Sequence, residues 1–198
     1  LEQDCDIEPI LGDTEAGRYI LRHSCAHLLA QAVVEIYPDA QPTIGPPIEN
    51  GFYYDFKMDP VGDGDLKKIE KKMQEHIRAN HTLTREEHDN RTLRDMFAEN
   101  PFKIEIMNDK IGVDIGSSAY RQGDFVDLCL GPHVPSTSYL RWFKLTGTSQ
   151  AYWKGDSSKE SLVRIYGMCF SSKDELRERE RQIEEAKKLS LIHISEPT

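Results

Sequence analysis

The chain has 198 residues, 38% apolar and 30% charged, which suits one soluble domain of ordinary size, or one domain with flanking pieces. Lys plus Arg number 25 against 34 Asp plus Glu. The formal charge of −9 argues against broad nucleic-acid binding, which is driven by phosphate neutralisation, but leaves room for a small pocket that takes a nucleic-acid end.

No run of about 18 apolar residues reads as a membrane span. The acidic start Leu1-Glu2-Gln3-Asp4 lacks the apolar stretch of a secretory signal. Cys5, Cys25, Cys129 and Cys169 form no CxxC pair, so the expectation is free thiols in a reducing cytoplasm.

Residues 1–13 are short and acidic and read as the tail of an upstream domain. Asp13 or Thr14 caps a helix over 14–37, which Pro38 stops. His23 and His27 share one face of it, about 40° apart around the axis. An apolar stripe of Leu21, Cys25, Leu28, Ala32 and Ile36 marks the other side. The Pro-rich stretch 41–47 and the turn Glu49-Asn50-Gly51 lead into an aromatic strand, Phe52 to Phe56.

Helical spacing of Leu66, Ile69, Met73 and Ile77 predicts a charged helix over 65–80. Its Lys67, Lys68, Lys71 and Lys72 read as a solvated face. A strand over 82–88 and a short helix over 91–99 follow. Residues 101–106 alternate, which predicts a strand with Phe102, Ile104 and Ile106 on one face and Lys103 and Glu105 on the other. Residues 111–123 read as strand fragments and turns. In a strand over 125–130, Val126, Leu128 and Leu130 should point into a core while Asp127 and Cys129 share the opposite face. Strands over 143–153 and 162–170 precede a mostly charged helix opened by the capping box Ser172-Lys173-Asp174-Glu175.

HxxxH on a helix with CxxxH after a strand supplies three imidazoles and one thiol: His23, His27, Cys129 and His133. That set matches a tetrahedral zinc site. It also matches a metal-free hydrolytic pocket, where a His orients or deprotonates water and nearby donors hold the leaving group. Asp127 can bond a His or a ligand amine, and Lys103 can fix a phosphate or an oxyanion. Plainer readings stand beside these. The two helical histidines can be ordinary satisfied residues, Cys129 a small buried hydrophobe, and Lys103 an edge-strand charge. Tyr53 and Tyr54 can be aromatic core or an RNA-stacking platform.

Five blocks carry a family resemblance: Leu21 to Ala32, Thr43 to Phe56, Asp127 to Pro135, Tyr152 to Asp156, and Arg164 to Gly167. Their residues and order resemble the editing domain of threonyl-tRNA synthetases, over roughly residues 7–188. The HxxxH and CxxxH pair alone is shared with alanyl-tRNA synthetases and free-standing alanyl-tRNA hydrolases. The resemblance implies an α+β fold, a long helix packed on an antiparallel sheet with a cleft between them. The editing domain would cover 14–170, and 171–190 would be a connecting helix toward a catalytic domain. The implied reaction is hydrolysis of the seryl ester on mischarged threonine tRNA. One methyl separates serine from threonine and is worth only about 1–3 kcal/mol in a pocket, so a second, editing site is needed.

By resemblance, His23, His27, Lys103, Asp127, Cys129 and His133 line the pocket. His23 and Lys103 take the water-and-ribose end, Asp127 the seryl amino group, and Cys129 and His133 the wall, with Tyr54 near the terminal adenosine. Editing of this type is expected to need no cofactor, because the cation Lys103 would repel Zn²⁺, although the four ligands could bind zinc. The implied partner is the acceptor end of tRNA(Thr) carrying serine, and the implied parent enzyme is a homodimer.

ATP belongs to an aminoacylating domain whose motifs are not in this chain, so the expectation is editing without ligation. Residues 191–198 resemble translated adapter sequence, a non-native tail, which sets His193 aside. Two rivals remain open: a free-standing trans-editing hydrolase, and a zinc-stapled RNA-binding module without turnover.

Overall fold

The computed structural model describes residues 8–109 and 118–194, with side chains described to residue 189. The expectations for residues 1–7, for the strand fragments over 111–117 and for the end of the tail, His193 included, lie outside those limits.

Thr14 caps the first helix, α1 (Glu15–Ile36), its hydroxyl accepting from Gly17 N. Chain order then gives strands β1 (Gln41–Pro42), β2 (Pro47–Ile48) and β3 (Gly51–Lys57), helix α2 (Asp63–Ala79) and strand β4 (Leu83–Glu87). Helices α3 (Asn90–Met96) and α4 (Pro101–Asp109) precede β5 (Ser118–Gln122), β6 (Phe125–Leu128), β7 (Trp142–Tyr152), β8 (Ser161–Phe170) and α5 (Lys173–Ile194). The long helix, the antiparallel strands and the α+β class are as expected. Among the described residues, no helix is long and apolar enough to cross a membrane.

Two antiparallel sheets flank α1. The larger runs β1-β3-β8-β7, with β2 also paired to β3; the smaller runs β4-β5-β6. Phe52, Tyr54 and Phe56 of β3 and Val163, Ile165 and Cys169 of β8 join the core that α1 fills with Leu21, Cys25, Leu28, Leu29 and Val33. Pairing of Tyr54 with Ile165 sets the register, and a bidentate Arg164–Asp55 pair at 2.7 and 2.8 Å fastens the same two strands from the other face.

Burial of α1 is wider than its apolar stripe suggests. Every residue from Ser24 to Val33 is buried, His27 included, because the second sheet and α2 close over the side opposite the large sheet. Gln31 on that face is satisfied inside: Gln122 Nε2 donates to its Oε1 at 2.6 Å, and its own Nε2 donates to Glu35 Oε1 at 3.2 Å. The lysines of α2 are a solvated face, with Lys68 paired to Asp65 and Lys72 to Glu75 within the helix.

Residues 101–106 are the main correction. They open α4, a helix, and not a strand. Asn100 Oδ1 accepts from Phe102 N and Lys103 N, the bonds of a helix cap, and Pro101 follows where a missing N–H costs nothing. The alternation misleads because α4 lies between two apolar clusters. Ile104 and Met107 face Leu93 and Ala119, while Phe102 and Ile106 face Trp153 and Leu162. Lys103 and Glu105 therefore share no polar face; two residues apart on a helix, they point about 160° away from each other.

A smaller correction concerns Leu130, which is 46% exposed and not in a core, because β6 ends at Leu128. Val126 and Leu128 do pack on Leu93, Met107 and Ala119.

Leu28, fully buried on α1, tests the core. Leu28→Ala should lower the unfolding free energy by about 2–5 kcal/mol through the cavity it leaves, read as a lower midpoint in urea unfolding.

Candidate active site

The nitrogens of His23, His27 and His133 and the sulfur of Cys129 all lie within 4.8 Å of one another. Two elements supply them. One turn of α1 separates His23 from His27, and the turn after β6 brings back Cys129 and His133. Cys129 Sγ sits 3.3 Å from His23 Nε2 and 3.2 Å from His133 Nε2, and accepts from Gly131 N at 3.2 Å. Gly131 makes the turn possible. Its φ is +76°, and a Cβ there would stand 2.2 Å from the Tyr120 hydroxyl.

Ser24 is a site residue that motif reading passed over. Its Oγ accepts from Val134 N at 3.0 Å and lies 3.0 Å from His133 Nδ1, which fixes the ring with Nε2 toward Cys129. The signal was a hydroxyl inside a ten-residue buried run of α1, where a polar group needs a partner.

Beside this cluster lies a buried charge network. Lys103 Nζ is 2.5 Å from Asp127 Oδ1 and 3.1 Å from the Tyr54 hydroxyl, and that hydroxyl donates to Asp127 Oδ2 at 2.5 Å. Leu128 N donates to Oδ1 at 2.8 Å, and His27 Nε2 stands 3.7 Å from Oδ2. Lys103, Asp127, Tyr54 and His27 are each no more than 3% exposed. Asp127 Oδ1 thus has two donors and Oδ2 has one strong donor, leaving acceptor capacity on the His27 side.

A cleft of about 330 Å³ opens over both groups. His23, His27 and Cys129 line it with Tyr54, Lys103 and Asp127, and Ile44, Gly45 and Pro46 form its rim. All six expected site residues except His133 line the cleft directly; His133 stands behind Cys129. Of the two readings open to the Tyr54 ring, aromatic core or stacking platform, it is core. Its ring stacks on Phe56 at 4.9 Å and is covered by Gly45, where a Cβ would come within 2.0 Å of it. No ring face is left for a base, and only its hydroxyl serves the site. Burial, followed by the Asp127 charge, raises the Tyr54 phenol well above its ordinary range, so it stays a donor.

Burial also lowers the pKa of His23, His27 and His133. At His27 the nearby His23 and Lys103 add to the effect; at His133, His27 and His23 do. All three are neutral imidazoles near pH 7, able to accept a proton or bind a metal. The arrangement joins neutral proton acceptors to a fixed cation at one cleft, which equips it to activate water and to stabilise an oxyanion.

A family model, the threonyl and alanyl tRNA synthetase second additional domain, matches residues 118–166 of the chain. Over most of its length the chain is also similar to part of several threonine–tRNA ligases. It is 50% identical over 187 residues to that of Thermoplasma acidophilum, covering 94% of this chain and 28% of the relative. It is 44% identical over 183 residues to that of Rubrobacter xylanophilus, covering 92% and 28%. To that of Francisella philomiragia it is 43% identical over 209 residues, covering 99% and 33%. The chain thus spans about a third or less of the curated relatives it matches.

The lowered histidine pKa values fix a pH dependence of stability. A neutral histidine in the folded state takes up its proton on unfolding, so stability is full above the unfolded pKa near 6.5 and falls as pH drops below it. Metal-free protein should lose up to about 1.4 kcal/mol per pH unit per histidine below that point. Urea midpoints measured from pH 7.5 to 5 should fall, and His27→Gln should flatten the slope.

Proposed function

We propose that the chain is an aminoacyl-tRNA ester hydrolase, the editing part of a threonine–tRNA ligase, which removes serine from mischarged tRNA(Thr). The observation that carries the reading is the meeting of the His23/His27/Cys129/His133 cluster and the Lys103–Asp127–Tyr54 network at one cleft. The family match and the threonine–tRNA ligase relatives supply the substrate class. In this reading residues 14–170 form the editing unit and 171–190 lead toward the ligase, which acts in the cytoplasm.

His23, neutral and at the cleft wall, takes a proton from the attacking water. Lys103 stabilises the charge that develops on the ester oxygens and meets the terminal ribose. Asp127 receives the seryl ammonium with the acceptor capacity left on Oδ2, while Tyr54 and Lys103 hold its carboxylate in place. His27 is buried beside that carboxylate, and Cys129 and His133 form the wall. Discrimination against threonine comes from crowding its extra methyl.

The same four side chains favour a second reading, a zinc site. Tetrahedral zinc, with bonds of about 2.0–2.3 Å, separates its donors by about 3.3–3.8 Å. The Cys129 contacts of 3.2 and 3.3 Å approach this, so the donor set fits the metal. Pairing with Asp127 also neutralises much of the Lys103 charge that would oppose a dication. Bound zinc would supply a Lewis acid, or a structural staple in a module that binds RNA without turnover.

Single-turnover deacylation at saturating protein should be faster for Ser-tRNA(Thr) than for Thr-tRNA(Thr), and His23→Ala should lower the rate by about 10²–10⁴-fold. Equal rates for His23→Ala and wild type would remove His23 from the mechanism. Purified protein should keep its deacylation rate after chelation; loss on chelation with recovery on adding zinc would establish the metal reading instead.

A further inference from the structure

Lys103 must reach Asp127 from a nine-residue helix, so what fixes the rotation of α4 fixes the ammonium. Apolar packing on both sides of α4 is not directional. Directional contacts hold its two ends, through the Asn100 cap and the bond from Arg94 to Asn108; at its middle they come from the turn after β7, in the block Tyr152 to Asp156, to which the editing reading gives no role.

Trp153, 2% exposed, donates its indole N–H to Glu105 Oε2 at 2.8 Å and meets the Phe102 ring edge-on at 5.0 Å. Lys154 Nζ pairs with Glu105 Oε1 at 2.6 Å and with Asp109, and Lys159 lies 3.7 Å from the same Glu105 oxygen. Lys154 holds a left-handed backbone, φ +54° and ψ +23°, which a non-glycine residue adopts at a cost. Glu105 projects nearly opposite Lys103 on the helix, so the two act as the ends of a lever.

We propose that Trp153, through Glu105, is a positioning residue for Lys103, and that the Tyr152–Asp156 turn is a clamp setting the reach of the active-site cation. The proposal deepens the editing reading and rests on it for its rate measurements. At about 5–6 Å from a helix axis, a rotation of about 20° carries a group by about 2 Å. That would open the 2.5 Å contact between Lys103 and Asp127. Misplacement of a reacting group by about 1 Å can cost 10²-fold in rate.

Trp153→Phe keeps a ring against Phe102 and removes only the donor. It should lower the single-turnover rate on Ser-tRNA(Thr) by about tenfold with little change in the protein concentration for half-saturation. Glu105→Ala should match it. Glu105→Gln, whose amide oxygen still accepts the indole N–H, should stay within about threefold of wild type. In a Lys103→Ala background, Trp153→Phe should add nothing, since coupled residues are not additive.

An activity-free arm follows the Lys103 ε-carbon resonance in protein with isotope-labelled lysine, assigned by its loss in Lys103→Ala. It should shift in Trp153→Phe while the urea midpoint changes little. An unshifted Lys103 signal, or rate losses that add fully in the double variant, would overturn the proposal. A wild-type chain without hydrolysis would instead count against the editing reading, and the resonance would then decide the clamp by itself.

Discussion

A lysine ammonium and an aspartate carboxylate meet at 2.5 Å with each residue almost fully removed from solvent, and this pair governs how the site can be built. Burying two charges carries a penalty of several kcal/mol per ion, offset only where geometry is good and the remaining hydrogen-bonding capacity is satisfied. Asp127 meets that condition with Lys103 and Leu128 N on one oxygen and Tyr54 on the other. The donors come from α4, β6 and β3, elements far apart in the chain. Loss of Lys103 or Asp127 would leave its partner's charge buried and unbalanced, and loss of the phenol would leave Oδ2 short of a donor, so the cation, the carboxylate and the phenol form one unit.

That unit sets the electrical character of the neighbouring imidazoles. His27 stands beside the carboxylate and His23, and burial, with His23 and a lysine nearby, keeps it from taking up a second proton. The positive charge in this part of the cleft therefore resides on Lys103, and the histidines are left as bases. A site that must take a proton from water at neutral pH gains from such a division, because a protonated imidazole could not accept it.

Much of this was legible in the sequence. HxxxH at one helical turn and CxxxH after an alternating strand placed four ligands that do converge, because spacing on a helix and a turn after a strand are local matters. The strand face expected to carry both Asp127 and Cys129 stops short: β6 ends at Leu128, and Cys129 reaches the cluster from the turn that follows. Less legible was α4, where six alternating residues imitated a strand because two apolar clusters embrace the helix from both sides. Lys103 was still named, through the family resemblance and not through its secondary structure. Ser24 and the covered ring of Tyr54 depend on residues more than 100 and about 10 positions away, respectively, and only the assembled chain brings those surfaces together.

The burial of α1 on all sides from Ser24 to Val33 separates two kinds of variation. Side chains there are locked by neighbours, so the reactive groups they carry can be changed only by disturbing the whole interior. The cleft rim is different: Ile44 lines the cleft and is 38% exposed. What the cleft admits can therefore drift at position 44, through a bulkier or smaller side chain, while the chemistry beneath stays as it is; position 45 is held to glycine, because a Cβ there would meet the Tyr54 ring at 2.0 Å. A cleft so arranged can have the range of ligands it admits widened or narrowed without being rebuilt.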